Sequence, residues 1–164
     1  MTRPARACID LHALQHNFQR VRQAAAGSRI MAIIKANAYG HGLLRVAQSL
    51  PDADAFGVAS PEEGIALREA GFDRRIVLLE GLFTPDDIAL VGGYRLDIVV
   101  HHANQLDMQE QAKLNQPVDV WMKLDTGMNR LGFDPDAAAH IVARLQSLEQ
   151  VATVRYMTHF ACAD

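Results

Sequence analysis

IIKANAYGHG, residues 33–42, is an apolar run that ends in a lysine and breaks into small residues, a tyrosine and two glycines around a histidine. A β-branched run bounded by such breakers reads as a strand, here Ile30–Lys35. Side chains alternate faces along a strand. Met31, Ile33 and Lys35 therefore share one face, and Ile30, Ala32 and Ile34 share the other. The wholly apolar face suits a layer of helices. The opposite face carries a cation at the C-terminal end of the strand, so the fold must place something there that uses it.

The same pattern recurs outward along the chain. Strands are expected at Ala55–Ala59, Arg75–Glu80, Leu96–His101, Val118–Asp125 and Val154–Phe160, with a further strand at Ala5–Leu11. Helices fill the gaps, at His12–Ala26, Gly42–Leu50, Ser60–Ala70, Pro85–Val91, Asn104–Leu114 and Pro135–Leu148. Ser60-Pro61-Glu62-Glu63 reads as a capping box, with a serine N-cap, proline at the first helical position and glutamate at the third. Thr84-Pro85-Asp86-Asp87 and Asp134-Pro135-Asp136 repeat the device, and Gly71 follows its helix as a C-cap glycine does. Strict alternation of strand and helix argues for parallel βαβ units. Without a Gly-rich dinucleotide fingerprint, the pattern favours an α/β fold of the (β/α)8 TIM-type barrel over a doubly wound sheet. A full barrel takes about 250 residues, so 164 residues with about six βα units are read as an incomplete one.

Composition narrows the function classes. The chain is 49% hydrophobic, enough for one core, and has a net charge of −3. With no basic block, nucleic acid is not an expected partner. Apolar runs are short and broken by charge, and Asp10 stands where a signal peptide needs its apolar centre. Neither a membrane span nor a leader is expected, and the cytoplasm is the expected location. Cys8 and Cys162 are too few for a disulfide framework and read as buried or free thiols. His12 and His16 stand four apart on a helix but lack a third ligand, so no metal site is expected. Among the cations there are only three lysines. Lys113, in EQAKLNQ, reads as solvated; Lys35 and Lys123 do not.

In parallel barrels, chemistry sits at the C-terminal ends of the strands. Alternation puts Trp121, Lys123 and Asp125 on one face of their strand, and Arg155, Met157 and His159 on one face of the next. Lys35, Lys123 and His159 thus end three strands as inward ionisable groups. A desolvated lysine gives up its proton more readily, and the neutral amine can form a Schiff base with a carbonyl. The alternative is a lysine that caps its strand and snorkels to solvent. His101 and His102 lie on opposite faces of a strand and cannot both serve one site.

AIIKANAYGHG, residues 32–42, resembles almost letter for letter the pyridoxal-phosphate lysine motif of the alanine racemases, fold-type III pyridoxal-phosphate enzymes. KLDTGMNRLGF (123–133) and THFACAD (158–164) resemble two further segments of that family. GVASPEEGIALREAG (57–71) and IVLLEGLF (76–83) resemble the regions between. The likeness runs through the whole chain in order and covers the first half of a family member. It implies that residues 1–164 are the N-terminal part of a pyridoxal-phosphate-binding barrel domain. The last barrel strands, the phosphate loops and a C-terminal β-domain would then lie outside this chain, and Ala5–Leu11 would pair with that β-domain.

The resemblance also implies roles. Lys35 matches the lysine that holds pyridoxal 5'-phosphate and serves as one of two catalytic bases. Tyr39 matches the tyrosine on the cofactor phosphate, the alternative being core packing. Arg130 matches the arginine that binds the cofactor's phenolic oxygen and the substrate carboxylate, for which a guanidinium fork is suited. Lys123 matches a lysine that many members carry as N6-carboxylysine, an anion that anchors the arginine; the alternative is a neutral or Asp125-paired lysine. His159 matches a histidine that acts only through an arginine outside this chain. The implied activity is interconversion of L- and D-alanine by a cytoplasmic homodimer, supplying D-alanine for peptidoglycan or serving alanine catabolism, with the 164-residue piece inactive alone. The competing readings are a non-catalytic pyridoxal-phosphate-binding barrel, and a broader-specificity racemase or a decarboxylase on the same scaffold.

Overall fold

A computed structural model describes residues 4–111 and 116–162. Six strands form one sheet in the order β1-β2-β3-β4-β5-β6. They are β1 Met31–Ile33, β2 Ala55–Val58, β3 Arg75–Leu78, β4 Asp97–Val100, β5 Val118–Lys123 and β6 Val151–Met157. The helices are α1 Leu11–Ala24, α2 Lys35–Tyr39, α3 Leu43–Ser49, α4 Pro61–Glu69, α5 Asp87–Gly93, α6 Ala103–Gln111 and α7 Ala138–Gln146. Every neighbouring pair of strands is parallel and joined through a helix. This is the wiring of a (β/α)8 barrel, open here between β1 and β6.

Alternation along each strand builds the core. Ile34, Phe56, Val58, Ile76, Leu78, Ile98, Val100, Val120 and Met122 are buried on the outer face. They pack with Val46, Leu67, Val91, Leu106 and Leu145 of the helix layer. Burying each large side chain there stabilises by about 1.5–3 kcal/mol relative to exposure. The inner face carries charge near its N-terminal end. Arg75 of β3 is bonded to Asp97 of β4 and, at 2.7 Å, to Asp119 of β5, and Arg155 of β6 reaches Asp119 at 2.9 Å. Trp121 Nε1 donates to Asp97 at 2.8 Å, and the Arg155 guanidinium lies 5.7 Å from the centre of the Trp121 ring. Four consecutive strands are tied by charge-assisted bonds that fix their register.

Several sequence expectations need correction. No strand forms over Ala5–Leu11; residues 5–10 are irregular and Leu11 opens α1, with Asp10 as N-cap accepting from His12 N and Ala13 N. A strand needs a neighbour for its N–H and C=O groups, and no described strand pairs with this segment. β6 starts earlier than expected because its pairing with β5 begins at Val118↔Val151. The expected helix at Pro85–Val91 begins only at Asp87, whose carboxylate accepts from Phe83 N and Thr84 N. The expected helix at Pro135–Leu148 splits into a 3-10 turn, Pro135–Ala137, and α7, with Asp134 capping the turn. Of the two readings of the cysteines the free one holds, with Cys8 and Cys162 both exposed. Lys113 and the expected end of α6 lie outside the described residues.

Candidate active site

The end of β1 is the least expected local structure. After Lys35 the chain winds left-handed: Ala36, Asn37, Ala38 and Tyr39 have φ of 52°, 54°, 52° and 53°. An L-residue in a left-handed helix costs roughly 1–2 kcal/mol, Asn and Gly excepted. Specific bonds offset that cost. Ala38 N donates to Ile34 O at 2.8 Å, Asn37 N donates to a Glu63 carboxylate oxygen at 3.0 Å, and Asn37 Oδ1 accepts from Leu43 N at 2.8 Å. Gly40 closes the turn at φ 85°. Lys35 emerges half-buried, and Tyr39 stands at the rim, 62% exposed, which excludes core packing.

Lys123 ends β5 and is buried, 9% exposed. Burial pushes its pKa down, and the charges of Arg130 and Lys35 push it further, with Asp125 opposing. Lys35, Lys123 and Arg130 are therefore electrostatic neighbours at one end of the sheet, although 95 positions separate the first from the last in sequence. Arg130 is presented by a folded-back loop. Asp125 N donates to Phe133 O and Phe133 N to Lys123 O, each at 2.9 Å. The Asp125 carboxylate accepts from Gly127 N and Asn129 N, each at 3.0 Å. Gly132, at φ 136°, lets the loop close: a Cβ there would sit 2.5 Å from Asp125 N. Thr158 ties the end of β6 to this loop through Thr126 Oγ1, at 2.6 Å, and Leu124 O, at 3.1 Å. His159, next in sequence, is exposed and makes no hydrogen bond to a described side chain.

His101 is a member of this mouth that the sequence reading passed over. The pairing Val100↔Met122, continued one residue, sets His101 beside Lys123. Its Nε2 lies 3.0 Å from Glu80 O. A carbonyl only accepts, so Nε2 carries the proton and Nδ1 is left as the basic nitrogen. Gln105, 5% exposed, clamps the ring: Oε1 accepts from His101 N at 2.9 Å, while Nε2 donates to Glu80 O at 2.9 Å and Leu82 O at 3.2 Å. Burial first, then the Lys123 charge, hold the His101 pKa below its ordinary value. The signal was present in the alternation Asp97, Val99, His101; attention to the adjacent His101-His102 pair hid it. His12 and His16 are exposed on α1, and no group of three or more possible metal ligands occurs among the described residues.

Parallel βα units that set a half-buried lysine just beyond the first strand, beside a buried lysine and an arginine, define a barrel-type fold with a cationic cluster at one end of its sheet. The chain belongs to the alanine racemase family: the family's N-terminal domain matches residues 9–164. It is 52% identical over 160 residues to an alanine racemase of Shewanella loihica, a match covering 97% of this chain and 45% of that protein. It superposes on the crystal structure of the biosynthetic alanine racemase from Pseudomonas aeruginosa with a TM-score of 0.90 at 44% identity, over 95% of this chain and 44% of that one. The alanine racemase of E. faecalis gives 0.84 at 33% identity, over 94% of this chain and 43% of that one. The chain thus spans less than half the length of these relatives.

Proposed function

We propose that the complete protein of which this chain is part racemises alanine with pyridoxal phosphate, as a cytoplasmic homodimer. The observation that carries the reading is the convergence of Lys35, Lys123 and Arg130 at the strand ends. The one carboxylate coupled to Lys123, Asp125, is already occupied by backbone N–H groups. This donor set fits the cofactor: an amine for its aldehyde, the Tyr39 hydroxyl for its phosphate, and a guanidinium for its phenolic oxygen. When bound, pyridoxal phosphate supplies an electron sink that acidifies the α C–H bond of the amino acid.

The chain's own residues do the rest. Lys35 would hold the cofactor, and its Nζ would take the α proton on one face and return one there. Arg130 orients the substrate carboxylate through paired N–H donors. Lys123 solves the problem of three adjacent cations. Its lowered pKa favours the neutral amine, which adds to dissolved carbon dioxide and loses a proton. The N6-carboxylysine so formed is an anion that neutralises and anchors Arg130. His159 acts through an arginine supplied from outside this chain, and the base on the opposite face also comes from outside it. Residues 5–10 pair with the C-terminal β-domain of the complete protein, consistent with their having no strand partner among the described residues. The test is the formation of D-alanine from L-alanine by the complete protein, with Lys35→Ala as the companion. Turnover that falls by at least about 10³-fold in Lys35→Ala supports the reading. Retained turnover refutes it.

A further inference from the structure

The sequence places Glu63 in a helix cap, and the structure gives it a different task. Ser60 makes no cap bond to the α4 backbone. Glu63 instead turns toward the sheet. One carboxylate oxygen accepts from Asn37 N at 3.0 Å, and the other accepts from Ala59 N at 2.9 Å. Asn37 is the second of the four left-handed residues that follow Lys35. Ala59 directly follows β2, and the register Ile33↔Gly57, continued two residues, sets it level with Lys35. One carboxylate therefore bridges the ends of two neighbouring strands at the height of the lysine, and it does so through backbone N–H groups alone.

We propose that Glu63 is the positioning residue of this site: by holding the left-handed turn, it fixes the direction of the Lys35 amine and of the Tyr39 hydroxyl. The chemistry requires a carboxylate. Two N–H donors need two acceptor oxygens from one side chain, and only an ionised carboxylate offers both. Gln at 63 has the same size but turns an NH2 toward one of the two donors, so one end of the bridge opens. The turn is then held by its remaining bonds only, against the preference of Ala36 and Ala38 for right-handed backbone. Glu63 touches neither cofactor nor substrate in this account; it acts through the main chain.

The inference rests on the racemase reading, and the experiment separates the two. Glu63→Gln is compared with wild type in the complete protein loaded with pyridoxal phosphate, by alanine kinetics and by pH titration of the visible absorbance of the lysine-bound cofactor. A displacement of about 1 Å of a reacting group costs on the order of 10²-fold in rate. Glu63→Gln is accordingly expected to lower kcat by about 10- to 100-fold with a much smaller change in KM, and to shift the midpoint of the absorbance titration. Adding Ala36→Gly, which makes left-handed backbone accessible at an exposed position, should recover part of the kcat. Thermal unfolding accompanies each variant; if Glu63→Gln does not fold, Glu63→Asp, too short to span both donors, takes its place with the same expected outcome. A variant that melts earlier but keeps wild-type kcat and titration overturns the inference, as does a loss of kcat that Ala36→Gly leaves untouched. Failure of the wild-type protein to racemise alanine falls on the racemase reading instead.

Discussion

At the scale of single residues, the site is a problem in placing like charges. Lys123 is buried, and burial first, then the charges of Arg130 and Lys35, push its pKa down. His101 belongs to the same balance: protonating it would add another cation beside Lys123. Its folded pKa lies below the ordinary value of about 6.5, so the unfolded chain binds the proton more readily. Stability from this group is fully present above about pH 6.5 and is lost as pH falls through the lower, folded value. His101→Gln, which does not titrate, should flatten the decline in thermal midpoint of the complete protein below that pH. An unchanged decline would show that His101 is not among the groups responsible. Strand alternation pointed to Lys123, which ends β5, while Lys35, two residues beyond β1, and Arg130 were singled out by short motifs. The setting of His101 was not legible in the sequence, because Glu80, Gln105 and Lys123, which surround it, come from three separate segments.

At the scale of elements, the strands and helices were legible and their ends were not. Apolar periodicity marks which segments are strands, but pairing sets where a strand stops; β6 follows β5, and residues 5–10 follow nothing. The left-handed turn was hidden for a physical reason. Alanine prefers right-handed backbone, and only Asn37 and Gly40 hint otherwise, so the turn depends on distant partners such as Glu63. The loop that carries Arg130 is more local and yields a sharper prediction. Gly132 sits at φ 136°, where a Cβ would press to 2.5 Å from Asp125 N and 2.7 Å from the Leu124 carbonyl carbon. Gly132→Ala should destabilise the complete protein by about 2 kcal/mol or more and raise KM for alanine as Arg130 moves. A variant with unchanged melting and unchanged KM would show that this loop does not position Arg130.

At the scale of the molecule, the sheet is closed on its helix side and open on its edges. β1 pairs only with β2, and β6 only with β5. Tyr156 and Phe160 near the second edge are 61% and 73% exposed, and Ile33 on the inner face is 40% exposed. Unpaired parallel edges with apolar neighbours are templates for association. The 164-residue chain, expressed alone, should therefore self-associate on size exclusion and show negligible racemisation. A cooperative, active monomer would refute this. The interior ion network contributes to the same order. Arg75, Asp97, Asp119 and Arg155 come from four consecutive strands, 22, 22 and 36 positions apart from one to the next. No sequence pattern announces such a set; only the register brings it together.

Lys35, and no other lysine, is proposed to hold the cofactor. The decisive measurement is to load the complete protein with pyridoxal phosphate, reduce with borohydride and map the labelled peptide. The account predicts a single stable label on Lys35, within the peptide spanning KANAYGHG, and none in Lys35→Ala. A label on Lys123 or Lys113 with Lys35 unmodified would contradict it.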